Sequence, residues 1–131
     1  MAHVLVLDDE PDACNLVKRI AEGMKHKAVA FEDENEAITY CGSNEVDLAI
    51  LDLKLRKMTG LDVLEKLKEF NPRIKALLLT GYPTMETAKR AFGLGVHAYL
   101  TKPIDVDDLE SKIASALEKT GNDSKETLTI E

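Results

Sequence analysis

The sequence is short of several things, and each shortage closes a class of function. In 131 residues it holds two cysteines, Cys14 and Cys41, at a spacing that matches neither a zinc site nor a redox motif. A disulfide framework is not expected, and a chain of this length buries a two-sided core without one. The chain opens with no charged-then-apolar leader and has no apolar run long enough to cross a bilayer. The expectation is a single cytoplasmic domain with reduced thiols and no membrane contact. Positive charge is also scarce, with 17 Lys and Arg against 24 Asp and Glu and a formal net charge of -7. Binding to a phosphate backbone relies on clustered Lys and Arg, so direct nucleic acid contact is not expected.

What the chain does have is short apolar runs alternating with amphipathic stretches, five times over. Residues 46–52 read Val-Asp-Leu-Ala-Ile-Leu-Asp, too short for a helix. A strand here puts Val46, Leu48 and Ile50 on one face and Ala49 and Leu51 on the other, buried on both sides as in a parallel sheet. Similar strands are predicted at 3–7, 27–31, 75–79 and 97–100. Between them lie helical patterns. One begins at Pro11 with a stripe of Ala13, Leu16, Val17, Ile20, Ala21 and Met24, and another at 34–41 turns Ala37, Ile38 and Cys41 inward. A third at 60–70 shows Leu61, Leu64 and Leu67 on one face. The fourth, from Pro83, carries a thin stripe of Met85, Ala88, Ala91 and Phe92; the last, about 106–118, presents Leu109, Ile113, Ala116 and Leu117. Residues 121–131 are polar and aperiodic, a tail or the start of a linker. Strand-helix alternation of this kind predicts an α/β fold, a doubly wound parallel sheet with helices on both faces.

In such a sheet every strand opens on the same edge, where ligands bind. That edge collects Asp8, Asp9, Asp52, Thr80 and Lys102. Taken singly, each Asp is a turn former or helix cap and Lys102 is surface charge. Taken together they conflict, because two carboxylates about 4 Å apart repel by about 4 kcal/mol at an effective dielectric of 20. Three held together need a cation or a strongly raised pKa; a divalent metal is the economical answer, and few converging oxygens with room for water suit magnesium better than calcium. Thr80 offers a hydroxyl proton and Lys102 a positive charge, so the edge is equipped to hold the oxygens of a phosphoryl group carried by Asp52.

Asp8-Asp9 after the first strand, Asp52 after the third, Thr80-Gly81 after the fourth, Tyr99 in the fifth and Lys102-Pro103 beyond it occur in that order. Residues 1–120 thus resemble the receiver domain of bacterial two-component response regulators. The resemblance implies a flavodoxin-like (βα)5 fold with sheet order 2-1-3-4-5. It implies that Asp52 is the phosphoacceptor, that Asp9 and Asp52 ligate magnesium (or manganese) directly and Asp8 through water, and that the backbone carbonyl of Lys54 is a further ligand. Thr80 and Lys102 would contact the phosphoryl oxygens, the Lys102-Pro103 bond would be cis, and Tyr99 would follow Thr80 in switching the face of the fourth helix, fifth strand and last helix. A sensor histidine kinase or phosphotransfer protein would be the donor. An output domain or partner protein would be the target, with homodimerisation on phosphorylation. Such a domain is not an enzyme beyond self-directed phosphotransfer and autodephosphorylation.

The rival readings fail on absences. A flavin-binding flavodoxin needs a phosphate-cradling loop after the first strand, where this chain has Asp8-Asp9-Glu10. An aspartate-nucleophile phosphatase needs Asp-x-Asp there, and the second Asp is missing. A receiver-shaped adaptor that never handles phosphate usually lacks one of the key charges, and here all are present. The chain departs from many receivers at Arg56, where proline is common, and carries Lys54 two residues beyond the acceptor.

Positions two residues beyond Asp52 and Thr80, Lys54 and Tyr82, should border the approach of a hydrolytic water. Lysine has no acceptor with which to orient water, and a tyrosine ring occupies its space. A long-lived phosphorylated state is therefore expected. Lys54→Asn combined with Tyr82→Ala should shorten its half-life at least about tenfold, roughly 1.4 kcal/mol of barrier, in a decay assay on the phosphorylated protein; an unchanged rate would leave Lys54 as a solvated loop lysine.

Overall fold

The computed structural model describes residues 1–118. The tail from Gly121 lies outside the described residues. Five strands, β1 (His3–Leu7), β2 (Lys27–Phe31), β3 (Leu48–Asp52), β4 (Lys75–Thr80) and β5 (Ala98–Thr101), alternate with five helices. These are α1 (Pro11–Gly23), α2 (Glu34–Ser43), α3 (Gly60–Phe70), α4 (Met85–Gly93) and α5 (Val106–Leu117). All strand pairs are parallel and the order is β2-β1-β3-β4-β5, as the resemblance implied. Because β1 lies between β2 and β3, the crossovers diverge from it, and the strand ends of β1 and β3 flank the point where strand order reverses.

The sheet separates two apolar layers. One face packs Leu5, Leu7, Ala49, Leu51 and Leu78 against α2 and α3, with Ala91 of α4 joining from the side. The other packs Val4, Val6, Leu48, Ile50, Leu77 and Leu79 against α1 and α5 through Val17, Leu109 and Ile113. The central strand is buried at every residue, because helices cover both of its faces.

Three predicted patterns are corrected. The central strand begins at Leu48, and Val46 packs with Ala49 and Leu51 on the opposite side from Leu48 and Ile50. Alternation does not extend back through Asp47, whose carboxylate instead accepts from the His3 amide at 2.8 Å. The α1 stripe runs through Cys14, Val17, Ile20 and Ala21, leaving Leu16 exposed. Helix α4 starts at Met85, capped by Thr84, whose hydroxyl accepts from the Thr87 amide. Pro83 lies ahead of it, Ala91 alone of its residues is buried, and Met85 and Phe92 are about three-quarters exposed at 74% and 70%.

Helix α3 begins directly beneath the end of β3. A Cβ on Gly60 would overlap the carbonyl oxygen of Asp52, and the Gly60 amide donates to Leu53 O at 2.8 Å. Gly60→Ala should therefore cost about 1–3 kcal/mol in urea denaturation, as overpacking against backbone does. Gly23→Ala, with nothing within 4 Å of the added carbon, should be neutral or stabilise by up to about 1 kcal/mol. Equal costs at the two positions would contradict this packing.

Candidate functional site

The carboxyl ends of β1, β3, β4 and β5 deliver Asp8, Asp52, Thr80 and Lys102 to one edge, and three of these side chains are closed off from solvent. Asp8 is 2% exposed, Asp52 6% and Thr80 1%. The Lys102 ammonium lies between two of them, 2.9 Å from Asp8 Oδ2 and 3.5 Å from Asp52 Oδ1. The other Asp8 oxygen accepts from the Glu10 amide at 2.9 Å, which fixes the turn from β1 into α1. Asp9, partly exposed, stands 3.7 Å from the Arg56 guanidinium.

Burial sets the electrostatics here. It pushes the Asp52 carboxyl, helped by the charge of Asp8, from the ordinary 3.8 up to about 6, while Lys102 pulls the other way. For Lys102 burial disfavours the charged form, but the hydrogen bond and charge of Asp8, with Asp52 beside it, outweigh that and hold the ammonium above its ordinary value. One oxygen each from Asp8, Asp9 and Asp52 lies within 4.8 Å of the others. Three hard carboxylate donors, of which two are buried, form a donor set for magnesium or manganese rather than for a thiophilic metal.

Thr80 closes the far side. Its Oγ1 accepts from the Tyr82 amide at 3.0 Å and donates to no partner among the described residues, which leaves its proton for an anion. The Lys102–Pro103 peptide is cis, and the Lys102 amide donates to Thr80 O at 2.8 Å. Lys54 and Tyr82 meet outside this group, with the ammonium 4.9 Å from the ring centroid. Tyr99, half-buried in β5, does not hydrogen-bond Thr80; its hydroxyl is 2.6 Å from Thr87 Oγ1 on α4.

Three participants escape a reading of the sequence. Thr87 completes the cap of α4 with Thr84 in the structure, without the Glu or Gln that marks such a cap in a sequence. Arg90 of α4 pairs with Asp62 at 2.8 Å and Glu65 at 3.4 Å on α3, a contact between helices distant in sequence that no local pattern signals. Glu34 reads as an exposed first-turn carboxylate and is 2% exposed.

The family model of the response regulator receiver domain matches residues 4–114. The chain belongs to the response regulator receiver family. Among curated proteins the receiver is 30% identical over 127 residues to the transcriptional regulatory protein ZraR of Escherichia coli K12, covering 97% of this chain and 29% of that protein. The chain thus spans less than a third of that relative's length. Among solved structures it superposes on a CheY-like receiver domain from Methanospirillum hungatei JF-1 with a TM-score of 0.83 and 28% identity, covering 88% of this chain and 92% of that one. It also superposes on the response regulator TrrA of Thermotoga maritima in complex with Mg(2+)-BeF, with a TM-score of 0.79, 27% identity and coverage of 89% and 100%. No helix of the described residues is long and apolar enough to cross a membrane.

The raised carboxyl of the receiver has a consequence for stability. Folded Asp52 binds its proton more tightly than the unfolded chain does, so stability is lost as pH rises from 3.8 through about 6. That interval corresponds to roughly 3 kcal/mol. In chelator, Asp52→Asn should exceed the parent in urea stability at pH 7 by up to that amount and lose its advantage below about pH 4. Equal stability at pH 7 would contradict the burial penalty.

Proposed function

We propose that this receiver accepts a phosphoryl group on Asp52 from the phosphohistidine of a sensor histidine kinase or phosphotransfer protein, and that the modification is read out through α4, β5 and α5. The observation that carries the reading is the clustering of three carboxylates, one oxygen from each within 4.8 Å of the others, around a half-buried ammonium that pairs with two of them, Asp8 and Asp52. Such a cluster is left with excess negative charge in a low-dielectric setting, a poor arrangement for stability and a suitable one for a cation and an incoming phosphoryl group.

Asp9 and Asp52 would hold magnesium directly, Asp8 through water, with the Lys54 carbonyl as a further ligand. Bound there, the ion would supply positive charge to offset that of the acceptor carboxylate and the incoming phosphoryl group. An Asp52 oxygen attacks phosphorus as the phosphorus–nitrogen bond of the donor breaks, and the electron pair leaves with the imidazole. Lys102 exchanges its contact with Asp52 for a phosphoryl oxygen, and Thr80 donates its unspent hydroxyl proton to another. The superposable Thermotoga maritima regulator carries Mg(2+)-BeF, which supports magnesium as the cofactor here.

The readout follows from what Thr80 now holds. Drawing Thr80 toward a phosphoryl group disturbs its contact with the Tyr82 amide, at the head of the segment leading into α4. The Tyr99 hydroxyl on Thr87 then has to adjust with that helix. The output is an attached domain or a separate partner, as the transcriptional regulators of greater length suggest, and pairing of two phosphorylated receivers through this face is a further step. The setting is cytoplasmic, which suits the two buried, unpaired cysteines.

Incubation with magnesium and a small acyl phosphate should raise the intact mass by one phosphoryl group. Asp52→Asn should abolish most of that rise. Labelling that persists in the variant, or that proceeds in chelator, would refute the assignment.

A further inference from the structure

Among the described residues four polar or charged side chains are buried, and three of them, Asp8, Asp52 and Thr80, stand at the strand-end site. The fourth is Glu34, the first residue of α2. A buried carboxylate is costly unless its oxygens are hydrogen-bonded. Glu34 spends one oxygen, Oε2, on two amides, those of Lys57 at 2.6 Å and Met58 at 3.2 Å. Burial raises its carboxyl, but these amides and its own outweigh that and hold it below the ordinary carboxylate range.

Both amides belong to the loop between β3 and α3, residues 53–59. That loop is closed at its base by Gly60 N to Leu53 O at 2.8 Å and by the antiparallel bridge of Lys54 with Thr59. Among the described residues its tip has no comparable backbone pairing and is held from α2 instead, by Glu34 and by Asp33, which takes the Lys57 ammonium at 2.8 Å. Arg56, next to the clamped residue, reaches Asp9. The loop starts at the acceptor and carries the Lys54 carbonyl.

We infer that Glu34 is a positioning residue for the acceptor loop: by holding the Lys57 and Met58 amides it sets where the Lys54 carbonyl and Arg56 stand relative to Asp9 and Asp52. The inference rests on the phosphoacceptor reading. Asp33 alone cannot do this, because a flexible lysine side chain transmits its anchorage loosely to the backbone, whereas Glu34 grips the backbone itself.

The test separates position from charge. Glutamine keeps an oxygen at the same reach without the charge; aspartate keeps the charge and withdraws the oxygen by one methylene. Apparent magnesium affinity is read from the rise in melting temperature with magnesium at constant ionic strength. E34D and E34A should weaken it about tenfold, and E34Q less than about threefold. Leu109→Ala, in the opposite apolar layer, should lower the melting temperature and leave the affinity unchanged. Should E34A not fold, E34D against E34Q decides. Affinity in E34D equal to the parent would overturn the inference, and so would E34Q as weak as E34D or Leu109→Ala as weak as either. Failure of the phosphoacceptor reading would look different, since the parent itself would then take no label at Asp52.

Discussion

One ammonium facing two buried carboxylates is the contact on which the rest of this edge depends. Lys102 comes from beyond β5 and Asp8 and Asp52 from the ends of β1 and β3, so the pair of ion contacts ties together three segments that share no covalent neighbourhood. Removing it would leave two carboxylates facing each other with their hydration stripped, which buried groups tolerate poorly. The arrangement is also incomplete, because one positive charge cannot balance Asp8, Asp9 and Asp52 and the second cation nearby, Arg56, is 77% exposed and screened. A deficit of this size at a strand-end crevice is one that an added cation would offset.

How much of this could be read from the sequence depends on how local the cause was. The strands were legible because interior strands of a parallel sheet must be apolar on both faces, and the β3 run ending in Asp52 announces itself. Strand order was not, since it follows from packing between elements far apart in the chain; it came from the family resemblance. Val46 was assigned to the wrong face because alternation was extended through Asp47, which the structure uses as a side-chain partner for the His3 amide. The α1 stripe slipped for a related reason: Cys14 takes the inward position and Leu16 stays outside.

The site residues were legible where a polar side chain interrupts an apolar run. Asp8, Asp52, Thr80 and Lys102 all do so. Glu34 and Thr87 do not, because each sits in a helix's first turn, where acidic and hydroxyl residues are favoured for reasons of capping and dipole alone. Only the fold reveals that the Glu34 carboxylate is turned inward against a loop 23 residues away, or that the Thr87 hydroxyl is met by Tyr99.

The thin anchorage of α4 gives the molecule unequal internal stabilities. Every other helix buries at least two apolar residues in the layers, whereas α4 buries Ala91 and otherwise relies on half-exposed polar contacts through Thr87 and Arg90. Detaching it exposes little apolar surface, so its opening free energy lies well below that of global unfolding. The sheet and the α1–α5 layer can then stay intact while one segment samples alternatives. A perturbation worth a few kcal/mol, were it coupled to this helix, would redistribute its conformers without approaching the melting of the domain.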